Sequence, residues 1–147
     1  MDESQMVDVA LGRIVIQDGV DRQHIYLSER EGKRGFPIMI GSGEAYEIHR
    51  VVMGIEPERP LTHQLAFEVI RALGCSLKRV DIVALRENTF YAQMVLQNPK
   101  GDETAVIDAR PSDAIALALR ARCPIRVAED VLREACIDEP EEPGGLE

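Results

Sequence analysis

The chain predicts an α+β fold on a mixed β-sheet, with elements in the order βββ-αα-βββ-α-β-α. Two groups of short alternating segments are separated by a pair of amphipathic helical stretches. A third helical stretch, Ala114 to Leu119, is apolar on nearly every side. The regular β-α alternation of a doubly wound fold does not occur. A length of 147 residues suits one domain. That domain is expected over 1–137, with an acidic, disordered tail over 138–147.

Val7 to Gln17 reads as a strand whose parity breaks. Val7, Val9 and Leu11 share one side while Ile14 and Ile16 fall on the other, so a bulge near Gly12 is expected. Gln23 to Ser28 and Phe36 to Gly41 are two more strands. A helix from about Glu44 to Met53 follows, with Ser42 as N-cap and Gly54 as its stop. Its inward face is expected to carry Ala45, Ile48, His49 and Val52. Thr62 caps a second helix that ends at Gly74, and Leu65, Val69, Ala72 and Leu73 form its apolar stripe. Leu77 to Arg86 and Phe90 to Gln97 alternate as a hairpin, and a further strand ends at Asp108. Ser112 to Arg122 is the central buried helix, broken by Pro124. Ile125 to Ala128 completes the sheet, and Asp130 to Ala135 forms a last helix.

The formal net charge is −9, unevenly spread. From Glu129 to Glu147 eight acids face Arg133 alone, so the rest of the chain is nearly neutral. A broad basic groove for nucleic acid is therefore not expected, although a local arginine patch is compatible with this balance. No apolar run approaches the roughly 20 residues of a membrane span, and the N-terminus is not a signal peptide; a cytoplasmic location follows. Cys75, Cys123 and Cys136 are odd in number and widely spaced, which predicts reduced, mostly buried thiols. Apolar residues on both sides of the Leu77–Arg86 strand leave surface to cover, so a homo-oligomer, dimer or larger, is expected.

Asp108-Ala-Arg110-Pro-Ser112-Asp113 carries the densest chemistry, at a strand-to-helix junction. Along an extended strand Asp108 and Arg110 share a face, about 6.5 Å apart at Cα, and Pro111 keeps Arg110 extended. Two aspartates beside an arginine suit a divalent cation and a phosphate. The same residues also suit a purely structural role, with Ser112 or Asp113 capping the helix and Arg110 paired to Asp108. His63, at a helix start, is a candidate for proton transfer, and Gly41-Ser42-Gly43-Glu44 is a weak candidate for a phosphate turn.

Three stretches together carry a resemblance: Phe36-Pro-Ile-Met-Ile-Gly-Ser-Gly-Glu-Ala-Tyr-Glu-Ile48, Arg59-Pro-Leu-Thr-His63, and Val106 to Arg120 around Asp-Ala-Arg-Pro-Ser-Asp-Ala. They resemble the bifunctional nuclease family over about Met6 to Ile137. The resemblance implies an often oligomeric α+β domain that hydrolyses phosphodiester bonds of DNA, RNA or both with divalent metal, Mg²⁺ or Mn²⁺. The family's polar residues fall on Glu44, Arg59, His63, Asp108, Arg110, Ser112 and Asp113. Asp108, Asp113 and Glu44 are then the implied metal ligands, and Arg110 stabilises developing charge. His63 is general base or acid, while Arg59, Arg110 and Ser112 meet the substrate. The family usually has an aspartate after His63, whereas this chain has Gln64. The rival expectation is a non-catalytic, oligomerising protein-interaction domain.

Overall fold

The parity break at Gly12 becomes a bulge. In the computed structural model, which describes residues 5–17, 19 and 21–137, β1 (Met6–Val15) pairs with β2 (Arg22–Glu29) as Leu11↔Leu27 and then Arg13↔Tyr26. Gly12 is the skipped residue, and a Cβ there would stand 2.9 Å from Ser28 Oγ. The bulge keeps apolar residues of both halves of β1 turned to one side. The expected tail lies outside the described residues.

The remaining elements are β3 (Gly35–Gly41), α1 (Ser42–Met53), α2 (Thr62–Ala72), β4 (Ser76–Arg86), β5 (Thr89–Gln97), β6 (Glu103–Ala109), α3 (Pro111–Ala121), β7 (Ile125–Ala128) and α4 (Glu129–Ala135). This is the expected order. The strands form one mixed seven-stranded sheet, β3-β2-β1-β7-β4-β5-β6, antiparallel except where β7 lies parallel to β4.

Although four strands separate β3 from β5, the Phe36 and Phe90 rings meet at 5.4 Å. The sheet is therefore strongly curled, and α3 packs on its concave face against β4 and β5 with α1 beside it. Ala114, Ile115, Ala116, Leu117 and Ala118 are all buried, as an all-round apolar helix requires. Each fully buried Ile, Leu or Phe, such as Ile25, Leu27, Phe36, Ile82, Ile115 and Leu132, contributes about 1.5–3 kcal/mol.

Several expectations need correction. The α1 N-cap is Gly41 rather than Ser42, whose hydroxyl donates to the Asp21 carbonyl and accepts from the Gln23 amide. The α2 N-cap is Leu61 rather than Thr62. Val52 is exposed, and the buried face of α1 instead includes Glu47, which receives hydrogen bonds from Arg50 (3.0 Å) and Arg120 (3.1 Å) and so ties α1 to α3. The α2 stripe points outward, with Leu65, Val69 and Leu73 exposed. Ala66, Phe67 and Ile70 pack inward in its place. The three thiols are free and half-buried rather than buried.

The convex face carries its own polar row. Register places Asp8 opposite Arg126, Arg126 opposite Asp81, Asp81 opposite Gln93, and Gln93 opposite Asp108. Arg126 donates to both Asp81 oxygens at 2.8 and 3.0 Å, and Arg79 adds a bond at 3.1 Å. The alternate positions, Val80, Ile82, Ala92 and Met94, belong to the core beneath α3.

Candidate active site at converging helix starts

Pro111 occupies the first turn of α3 and holds Arg110, its N-cap, in an extended conformation (φ −68°, ψ 146°). Arg110 thereby leaves the strand direction and folds back over the helix start. Its Nε donates to Asp113 Oδ2 at 2.8 Å and its Nη2 to Oδ1 at 3.0 Å. The same Nη2 reaches Glu44 Oε2, in the first turn of α1, at 3.2 Å. His63, near the start of α2, places Nε2 2.7 Å from Asp113 Oδ1. The beginnings of α1, α2 and α3 thus meet around one cluster. None of the three has a side-chain cap bond; the first amide of α1, on Ser42, donates to the Asp21 carbonyl instead, and α3 begins with Pro111, which has no amide hydrogen.

The electrostatics fix the charge of Asp113 and Arg110. Partial burial would raise the Asp113 carboxyl, but hydrogen bonds from Arg110 and His63 outweigh it and hold Asp113 below the ordinary carboxylate value. Asp113 in turn holds the Arg110 guanidinium above its ordinary value. An ionised carboxylate can only accept, so His63 Nε2 carries the hydrogen of this bond; in the neutral ring Nδ1 is then the lone-pair acceptor. Among the described residues Nδ1 has no partner, and neither has Arg110 Nη1. The Arg110 side chain is 64% exposed, that of Asp113 31% and that of His63 19%, so the guanidinium is the open part of the cluster.

Arg110 also forms one wall of a cleft of about 860 Å³. Arg22 and His24 of β2, Asn88 and Thr89 at the tip of the β4–β5 hairpin, and Ser112 contribute other parts of its lining. The tip is a two-residue turn with Glu87 and Asn88 both at positive φ, 50° and 64°. Asn tolerates that region, whereas Glu is strained in it.

A sequence profile of the bifunctional nuclease domain matches residues 25–140, spanning every site residue named so far from Glu44 to Asp113. The chain belongs to the bifunctional nuclease domain family. It is 42% identical over 137 residues to an uncharacterized protein of Mycobacterium tuberculosis, covering 93% of this chain and 80% of that one. It is also similar to bifunctional nuclease 1 of Oryza sativa subsp. indica, at 25% over 114 residues, which is 76% of this chain and 34% of the rice protein. Bifunctional nuclease 2 of Oryza sativa subsp. japonica is 31% identical over 93 residues, 62% of this chain and 28% of its own length.

Within this bifunctional nuclease domain the expected residues divide. Glu44, His63, Arg110 and Asp113 come together. Asp108 does not, because it lies in the convex-face row beside Gln93 and is exposed there. The ion pair expected between Arg110 and Asp108 is replaced by Arg110 with Asp113 and Glu44. Ser112 is buried and lines the cleft but makes no cap bond. Arg59 is exposed in the α1–α2 connection. Gln64 Oε1 is buried without a hydrogen-bond partner among the described residues.

The implied ligand trio does not fit a divalent cation in this arrangement. Both Asp113 oxygens are engaged by Arg110 and His63, and Glu44 faces Arg110. Among the described residues no group of three or more His, Cys, Asp and Glu is placed to hold an ion. Sequence reasoning also missed Arg22, Asn88 and the lining role of His24. Their only signal was two basic residues spaced two apart on β2.

Proposed function

We propose that this domain cleaves phosphodiester bonds in RNA, DNA or both, by proton transfer at His63 beside an arginine that meets the phosphate. The His63–Asp113–Arg110 arrangement, with its arginine exposed to solvent, carries this reading. Asp113 is a positioning residue that fixes the tautomer and orientation of His63. His63 Nδ1 takes a proton from the attacking hydroxyl, either water or a ribose 2′-hydroxyl. Arg110 Nη1, the unspent donor, bonds a phosphate oxygen as negative charge builds. As the attacking oxygen bonds phosphorus, the opposite P–O bond breaks and its departing oxygen takes a proton from water, while His63 returns its own to solvent. Glu44 and Asp113 keep the guanidinium in place.

Purified protein should cut labelled single-stranded oligonucleotides, and His63→Ala should slow the cut about 10²–10⁴-fold. Cleavage is expected to survive chelator. A loss restored by Mg²⁺ or Mn²⁺ would instead assign the reaction to metal chemistry on other oxygens. Equal rates for wild type and His63→Ala would reject the reading.

A second reading concerns assembly. Leu65, Val69 and Leu73 on α2 are exposed, as is Ile107 on the helix-covered side of the edge strand β6. We propose that a second copy of this chain covers that surface. Light scattering should give at least twice the chain mass, and Val69→Asp should reduce it; a mass of one chain refutes the pairing. No helix among the described residues is long and apolar enough to cross a membrane, and we place the protein in the cytoplasm, which cell fractionation checks.

A further inference from the structure

The cleft beside Arg110 has a charge pattern that the cluster chemistry does not use. Arg22 and His24 lie two residues apart on β2, both exposed. The Arg22 guanidinium donates only to Met39 Sδ, at 3.5 Å, and meets no carboxylate among the described residues. Arg110, on the opposite side, holds Nη1 free. Among the described residues Asp21 is the only acid in the lining. Glu44 and Asp113 already offset the Arg110 charge, so it is the unspent donors of Arg22 and of Arg110 Nη1, rather than a net charge, that mark a place for an anion.

The shape narrows the class of anion. One wall is the outer edge of β3 at Pro37–Gly41, and the other is the strained tip bearing Asn88 and Thr89. A volume in the ~300–1,000 Å³ range of small-ligand clefts takes a short stretch of one strand and leaves no room for a duplex. Phe90 is the aromatic residue in the lining, and its ring is already packed against Phe36. The contacts on offer are therefore to the backbone, not stacking contacts to bases. An extended peptide joining the β3 edge is the other conceivable occupant. Pro37 removes a donor from that edge, and the exposed Arg22 guanidinium would find no purpose in such a pairing.

We infer that this cleft is the path by which single-stranded nucleic acid reaches the cluster, its phosphates bridging Arg22 and His24 on one wall and Arg110 on the other. This rests on the phosphodiester reading and adds substrate form, binding residues and indifference to base sequence.

The test is fluorescence anisotropy of labelled single-stranded uridine and thymidine octamers, with a blunt duplex as comparison, alongside a cleavage assay. Arg22→Glu should weaken single-strand binding at least tenfold. Arg22→Gln should flatten the plot of log affinity against log salt by about 0.7, the contribution of one phosphate contact. Lys100→Glu, in the turn between β5 and β6, should leave binding unchanged. If wild type binds and cleaves while both Arg22 variants bind equally well, the strand takes another path; this inference falls and the nuclease reading stands. Equal or tighter binding of the duplex overturns the single-strand assignment. If wild type neither binds nor cleaves any of the probes, both readings fall.

Discussion

Two arginine–carboxylate clusters lie on opposite faces of one sheet, and they differ in what they leave unused. On the convex face Asp81, with a side chain only 8% exposed, receives bonds from Arg126 and Arg79, and Arg79 continues to Glu103. Every member listens to another, and no proton-transfer group is present. At the helix starts Asp113 receives Arg110 in the same forked manner, yet the cluster adds His63 and opens to solvent at Arg110. Here a ring nitrogen and a guanidinium nitrogen remain available. Similar ion pairs thus hold a sheet together in one place and present reactive groups in the other. Burial and leftover hydrogen-bonding capacity separate the two roles.

Substitution should separate them by readout, and the largest effect belongs to the buried side. Asp81→Ala removes a buried acceptor shared by Arg126 and Arg79, although Arg79 keeps Glu103, and should cost about 3 kcal/mol of stability. Denaturant unfolding measures this, and a loss under 1 kcal/mol would remove the contrast. Arg110→Lys keeps the charge but not the fork. It should reduce kcat/KM about tenfold to a hundredfold with the melting temperature little changed, since the site is exposed.

These contrasts explain what the sequence could reveal. The bulge at Gly12 was legible because a parity change along one strand is a local signal. The outward turn of the α2 stripe was not, because that helix has two apolar faces. Leu65, Val69 and Leu73 fit the pattern as well as Ala66, Phe67 and Ile70, and only packing against α3 decides between them. Asp108 and Arg110 were expected on one face because strand parity was extended one residue too far. Parity ends at Ala109, where Arg110 becomes the cap of α3. The cleft escaped notice because Arg22, Asn88 and Arg110 are far apart along the chain and meet only through the curl of the sheet.

A smaller effect is expected in acid. Asp113 is held below its ordinary value of 3.8, so its contribution is complete above that pH and fades as pH falls through the lowered value. Glu29 and Glu129, held down by Arg34, behave in the same sense. The melting temperature should therefore change little from neutral pH to about pH 5 and drop below pH 4. A drop centred near pH 6 would point to histidine instead. The smallest effect is a gain. Glu87 at φ 50° pays for its left-handed backbone, so Glu87→Gly should stabilise the hairpin by about 0.5–1 kcal/mol. Thermal melts check this, and a loss of stability would show that the glutamate makes a compensating contact.

Asp113 ties His63 to Arg110, so Asp113→Asn gives the most direct test of the whole account. The amide keeps the shape but no longer demands a hydrogen on His63 Nε2, as in catalytic triads that lose their aspartate. Single-turnover cleavage of a labelled single-stranded RNA should slow at least a hundredfold, with a melting temperature within a few degrees of wild type. Cleavage at the wild-type rate by a folded Asp113→Asn protein would contradict the assignment of this cluster as the reacting site.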